Sequence, residues 1–168
     1  EYYGVCDQVY YDVYVSSETP FKEFEFDGYT YCYVASKCKL GIENVHYSGG
    51  VRITDKERTT LDSIKDMDKI SGIEEVLANI EGFTSLNEEK LTGYLQEYHN
   101  QFLYQKTGFI LYPYRDKLGL SHSFFEMCQY KTGKSKRSLT KEFTNGTYNK
   151  EWKLVVPDEV CRLKNGVF

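Results

Sequence analysis

Across the stretch VRITDKERTTLDSI, Val51 to Ile64, the hydrophobic period changes. Val51 to Thr54 alternates like a short strand. From Thr54 onward apolar residues return at helical spacing, with Leu61 and Ile64 on one face. A helix must therefore begin where a strand ends. Thr54 and Glu57 stand at the spacing of a capping box, which places that start at Thr54. Arg58 and Asp62 are spaced i, i+4, so both leave one side of the helix and can pair. An exposed pair of this kind is worth little. A pair in which Arg58 reaches back to strand carbonyls, with Asp62 orienting its guanidinium, would fix the angle between strand and helix. A catalytic reading of Arg58, Thr59 and Asp62 would need a nucleophile, a base or a metal pair, and this stretch supplies none in a recognised arrangement.

The flanks add strands before this point and helices after it. Gln8 to Val15 is rich in β-branched and aromatic residues and reads as a strand. In FEF-DG-YTYCYVA the Asp27-Gly28 pair predicts a hairpin, because the tight turn needs positive φ at both central positions. Tyr29, Tyr31 and Tyr33 share one face of its second strand. Ser48 to Gly50 reads as a loop. Gly72 to Ile80 predicts a second helix. Asn87 caps a third, long helix through Gln105, with Leu91, Leu95, Tyr98 and Phe102 on one stripe. Pro113 predicts a kink or an end to the next helix, and Ser121 caps a further short one. NKEWKLVVP, Asn149 to Pro157, reads as a strand. The order predicts an α+β fold: an N-terminal, mostly antiparallel sheet with a β-hairpin, packed against several helices, and a C-terminal strand that returns near the end.

A chain of 168 residues fits one domain, 1–168, with a sizeable core. Many of its 16 tyrosines are expected to be half-buried, ring inside and hydroxyl outside. Gly4 reads as the stop of a helix whose start is missing, so the chain is expected to be a fragment of a longer protein. A formal charge of -4 argues against a dedicated nucleic-acid-binding domain, which is usually basic. The 5 cysteines (Cys6, Cys32, Cys38, Cys128, Cys161) and the scattered His46, His99 and His122 match no zinc-ligand spacing. Reduced thiols in a cytoplasmic protein are expected, and no metal or cofactor. No apolar run is long enough to span a membrane.

Two further motifs carry candidate chemistry. A metal nuclease places an acidic residue on one strand and Asp/Glu-x-Lys on the next. Glu23, Glu25 and Asp27 are acidic, but the strand that follows carries no Asp/Glu-x-Lys, and Pro157 to Glu159 has no strand after it. KTGKSKRSLTK concentrates Lys131, Lys134, Lys136, Arg137 and Lys141 in an otherwise acidic chain. It reads either as a solvated loop or as a contact for a phosphate backbone or an acidic partner surface. It is not a P-loop, since the first glycine of that pattern is missing.

Several stretches together resemble the C-terminal domain of the AbiEi family of antitoxins: EYYGVCDQVYY, FEFDGYTYCYV, VRITDKERTTLDSIKDMDKISGIEEVL, KLTGYLQEYHNQFLYQKTGFIL, FFEMCQYKTGKSKRSL and NKEWKLVVP. They run in the family's order over nearly the whole chain. The most specific element is the Glu-Arg-Thr-x-x-Asp segment followed by the glycine-led second helix, here led by Ser71-Gly72 rather than two glycines. The resemblance implies a missing N-terminal winged helix-turn-helix that binds operator DNA. It also implies that the protein represses a toxin operon in bacterial phage defence and neutralises a nucleotidyltransferase-like toxin, without requiring a stable complex with it. It draws interest to Arg58, Thr59, Asp62, Lys106 and Gly108 and gives none of them a catalytic role. The alternatives are a metal-dependent nuclease-like domain and a DNA-binding accessory domain that uses Lys131 to Lys141.

Overall fold

The computed structural model describes residues 3, 11–35, 37–45, 49–69, 72–141 and 146–161. The chain enters through β1 (Asp12–Ser17), β2 (Phe24–Phe26) and β3 (Tyr29–Ala35), then β4 (Ile42–Asn44) and β5 (Arg52–Thr54). Helices follow: α1 (Lys56–Asp66), α2 (Gly72–Gly82), α3 (Glu88–Tyr98), α4 (Gln101–Leu111), α5 (Arg115–Leu118) and α6 (His122–Lys131). The chain returns to strands with β6 (Arg137–Ser138), β7 (Gly146–Asn149) and β8 (Leu154–Pro157). The fold is α+β, with mostly antiparallel strand pairs in three small sheets.

In the first sheet, ordered β1-β3-β2, the hairpin forms at the Asp-Gly pair. Asp27 takes φ 52° and Gly28 φ 79°, the double positive φ that the turn requires. β1 joins β3 in parallel, with Val13 opposite Tyr31. Phe24 stacks on Tyr31, its partner across the hairpin, at 4.9 Å between ring centroids. The core lies elsewhere. It is built from Leu61 and Ile64 of α1, Val76 and Ile80 of α2, Leu91 and Leu95 of α3, Leu103 and Ile110 of α4, Phe124 and Phe125 of α6, and Leu154 and Val156 of β8. α1 packs on α2, α3 and α4, and so stands at the centre of the helical layer.

Several expectations need correction. The long third helix is two helices. His99 takes the left-handed conformation (φ 48°), and Asn100 restarts the chain by accepting the Phe102 and Leu103 amides on its side-chain oxygen. The apolar stripe runs on from Tyr98 to Phe102 across the break, so periodicity alone hides it. The expected strand from Asn149 to Pro157 is a turn followed by β8. Asn149 closes the turn by accepting the Trp152 amide, and Lys153 takes φ 53°. The basic segment is not a free loop. Its Arg137 and Leu139 amides donate to the Lys153 and Val155 carbonyls, which holds it along β8 as the parallel strand β6. The expected helix and loop ends at Gly4, Ser48 and Ser71, and the start of the first strand at Gln8, lie outside the described residues. Asn87 and Ser121 cap α3 and α6 as expected, and α4 ends two residues before Pro113. Cys32, Cys38, Cys128 and Cys161 are free thiols. Among the described residues no helix is long and apolar enough to cross a membrane.

Candidate functional site

The junction of β5 and α1 holds a buried polar network around Asp55, Glu57, Arg58 and Thr60. The expected capping box does not form. The cap is one residue later, at Asp55, whose Oδ1 accepts the Arg58 amide at 2.8 Å. Thr54 and Thr59 instead bond through their hydroxyls at 2.7 Å, tying the last residue of the strand to the first turn of the helix. Glu57 faces inward, 1 % exposed, and accepts the Asn87 amide at 2.8 Å. The start of α1 thereby braces the start of α3.

Asp55 is itself shared. Its Oδ2 accepts from Tyr94 Oη at 2.6 Å and from Lys90 Nζ at 3.0 Å, both on α3. Burial alone would raise its carboxyl, but these bonds and the Arg58 amide outweigh burial and hold it below the usual carboxylate value. Burial and Asp55 together push the Tyr94 hydroxyl well above its ordinary range.

Arg58 is 2 % exposed, and it acts as a clamp. Nη1 donates to the carbonyls of Cys38 (2.7 Å) and Leu40 (2.9 Å), while Nε donates to Asp62 Oδ2 at 2.9 Å. The carbonyls belong to the connection between β3 and β4, not to a strand. Tyr98 Oη donates to the other oxygen of Asp62, and its ring lies 5.2 Å from the guanidinium carbon. Gly41 closes the connection with φ 68°. A β-carbon there would meet Tyr94 and Arg58 below 3.0 Å, so only glycine fits.

The residues that the resemblance singles out do not converge. Arg58, Thr59 and Asp62 share α1. Lys106 lies on α4, 3 % exposed, with its ammonium 4.8 Å from the centroid of Phe102, and burial depresses its pKa. Gly108 faces away from them, against Trp152. In the basic segment Lys131, Lys134, Lys136, Arg137 and Lys141 are all exposed. Lys136 lies over Tyr148 and Arg137 over Phe102, while the Lys141 amide donates to Asp68.

Beside the clamp opens a cleft of about 500 Å³, lined by Lys37, Lys65, Tyr98, His99, Asn100, Gln101 and Arg137. Lys37 directly precedes the clamped connection, Lys65 comes from α1, and Arg137 comes from the basic segment. Sequence reading missed this gathering and the roles of Asp55, Lys90 and Tyr94. Only Asp55 left a signal, since aspartate three residues before the Arg58 amide is a cap as good as threonine. Among the described residues, no group of three or more His, Cys, Asp or Glu side chains is placed to hold a metal ion. No family model, curated protein or solved structure matches the chain.

Proposed function

We propose that this chain is a non-catalytic regulatory domain, the antitoxin part of a bacterial toxin–antitoxin phage-defence system. In this reading it counters a nucleotidyltransferase-like toxin in the cytoplasm, and operator DNA is read by a separate winged helix-turn-helix. The supporting observation is the inward commitment of Arg58. Its donors go to the Cys38 and Leu40 carbonyls and to Asp62, so the residues most specific to the resemblance build a scaffold rather than a reaction centre. The antitoxin part of the reading rests on the sequence resemblance alone.

The test is co-expression with a nucleotidyltransferase-like toxin of the kind the resemblance implies. Rescue of growth by the parent chain is expected. Replacing Lys134, Lys136 and Arg137 with glutamate, all exposed positions, is expected to weaken rescue while leaving the fold intact. Absence of rescue by the parent chain overturns the antitoxin reading. Plasmid cleavage by the purified chain with Mg²⁺ or Mn²⁺, abolished by a single Asp or Glu substitution, overturns the non-catalytic one.

A further inference from the structure

We propose that the cleft beside the Arg58 clamp binds a small molecule carrying two or more phosphate groups. The inference does not depend on the antitoxin reading.

The first argument is charge. Lys37, Lys65 and Arg137 reach the cleft from three distant segments, with His99 beside them. Two of the nearby acids are already engaged. Asp66 is held by Lys65 and by Lys69, the latter at 3.0 Å, and Asp62 is held by Arg58 and Tyr98. Glu97, next to Tyr98, is a third acid on this side of the molecule, and its charge raises the pKa values of Cys38 and Lys39 slightly. Among the described residues, neither Lys37 nor Arg137 has a carboxylate within ion-pair distance. In a chain of formal charge -4, a concave site with unmatched cations is a local inversion of sign.

The second argument is shape. The floor is the joint between α3 and α4, where Asn100 and Gln101 open an 11-residue helix toward the cleft. That helix end carries partial positive charge and an amide, that of Gln101, ahead of those Asn100 caps. Asn100, Gln101 and His99 add neutral hydrogen-bonding groups of the kind that phosphate oxygens use. A volume of about 500 Å³ lies within the range of small-ligand sites, about 300–1,000 Å³. A nucleic-acid strand would instead need an extended basic track, and of the exposed Lys131 to Lys141 segment only Arg137 lines the cleft.

The third argument is rigidity. Arg58 fixes the carbonyl of Cys38, the residue after Lys37, and β6 holds Arg137 along β8. Two of the cations are therefore anchored at their backbones before any ligand arrives, which lowers the ordering cost of binding.

The experiment is calorimetric titration of the purified chain with inorganic tripolyphosphate, with sulfate at matched ionic strength as the control. One site is expected, with affinity for tripolyphosphate above that for sulfate. Lys37→Gln combined with Arg137→Gln is expected to lower affinity by about tenfold or more. Lys22→Gln combined with Lys150→Gln, on exposed positions that do not line the cleft, is expected to leave it unchanged. Circular dichroism of each variant checks folding, which exposed substitutions are expected to preserve. A dissociation constant weaker than about 1 mM for tripolyphosphate overturns the proposal. So does an equal loss in the two paired variants, which would mean unspecific charge attraction. Binding of a single-stranded oligonucleotide without binding of tripolyphosphate also overturns it, and assigns the surface to nucleic acid.

Discussion

Gly108 on α4 lies under the indole of Trp152, and the ring fills the volume that a β-carbon at position 108 would need. Such a carbon would overlap Cζ3 and Cη2 and sit 2.8 Å from Cε3. Trp152 is 2 % exposed and cannot move outward without leaving the core. Gly108→Ala is therefore expected to cost about 1–3 kcal/mol, the usual range for overpacking. In the double variant with Trp152→Leu the total loss is expected to fall short of the two single losses added together. Urea midpoints for the three variants measure this, and strict additivity would contradict the shared volume.

Arg58→Ala removes the donors that hold two loop carbonyls and leaves Asp62 facing Tyr98 alone. The expected cost is about 1–3 kcal/mol. Arg58→Lys is expected to recover little, because an ammonium cannot span two carbonyls and a carboxylate as a planar fork does. Identical midpoints for parent and alanine variant would move Arg58 from scaffold to surface.

Asp55 predicts an acid-labile contribution. Its native carboxyl is held low, so the unfolded chain takes up the proton more readily. The stability from Asp55 is complete above the unfolded value of about 4 and is lost as pH falls through the native one. Asp66, held low by Lys65 and Lys69 against the opposing effect of burial, acts in the same direction. Asp55→Asn keeps an oxygen for the Arg58 amide but loses the charge that Lys90 and Tyr94 contact. At pH 7 the variant is expected to be about 1 kcal/mol less stable. That gap should close as the pH is lowered, in urea titrations from about pH 7 to about pH 3. A gap independent of pH would assign the loss to packing.

His99 carries a left-handed backbone on a residue with a β-carbon. His99→Gly is expected to raise the thermal midpoint slightly, by relieving about 0.5–1 kcal/mol of strain. Asn100→Ala is expected to lower stability by about 1 kcal/mol, because the Phe102 and Leu103 amides lose their acceptor. A destabilised glycine variant would show that the imidazole, not the backbone, is what the joint needs.

The legible features were those whose chemistry is local. Asp27-Gly28 specifies its turn, Asn87 and Ser121 specify their caps, and Pro113 limits α4, because each acts on amides within a few residues. The Arg58–Asp62 pair was readable for the same reason, and so was its reach back toward the preceding strands. The carbonyls it holds were not, since Cys38 and Leu40 lie 20 and 18 residues away in the chain. The sequence does not choose between Thr54 and Asp55, because the two are adjacent and both are good caps; Tyr94 and Lys90 decide between them, and both belong to another helix. The cleft was invisible for a stronger reason. Lys37, Lys65, His99 and Arg137 share no spacing: the packing of α1 against α3 and α4 brings Lys65 to His99, the Arg58 clamp places Lys37, and pairing with β8 places Arg137.

The sharing of Asp55 between two helices also bears on how the native state opens. The carboxylate that caps α1 gains partners for its second oxygen only when Tyr94 and Lys90 arrive, and the start of α3 leans on Glu57 in return. Neither helix can fray at that end without exposing the charges of the other, so the two should exchange their amide hydrogens as one cooperative unit. Among the described residues, the first sheet has no comparable tie. All of β1, β2 and β3 is at least partly exposed, and Tyr14 Oη donating to the Lys69 carbonyl is a bond at the surface. Hydrogen exchange should therefore separate the molecule into a late-opening helical body and an early-opening aromatic sheet, whose release leaves the Arg58 clamp closed.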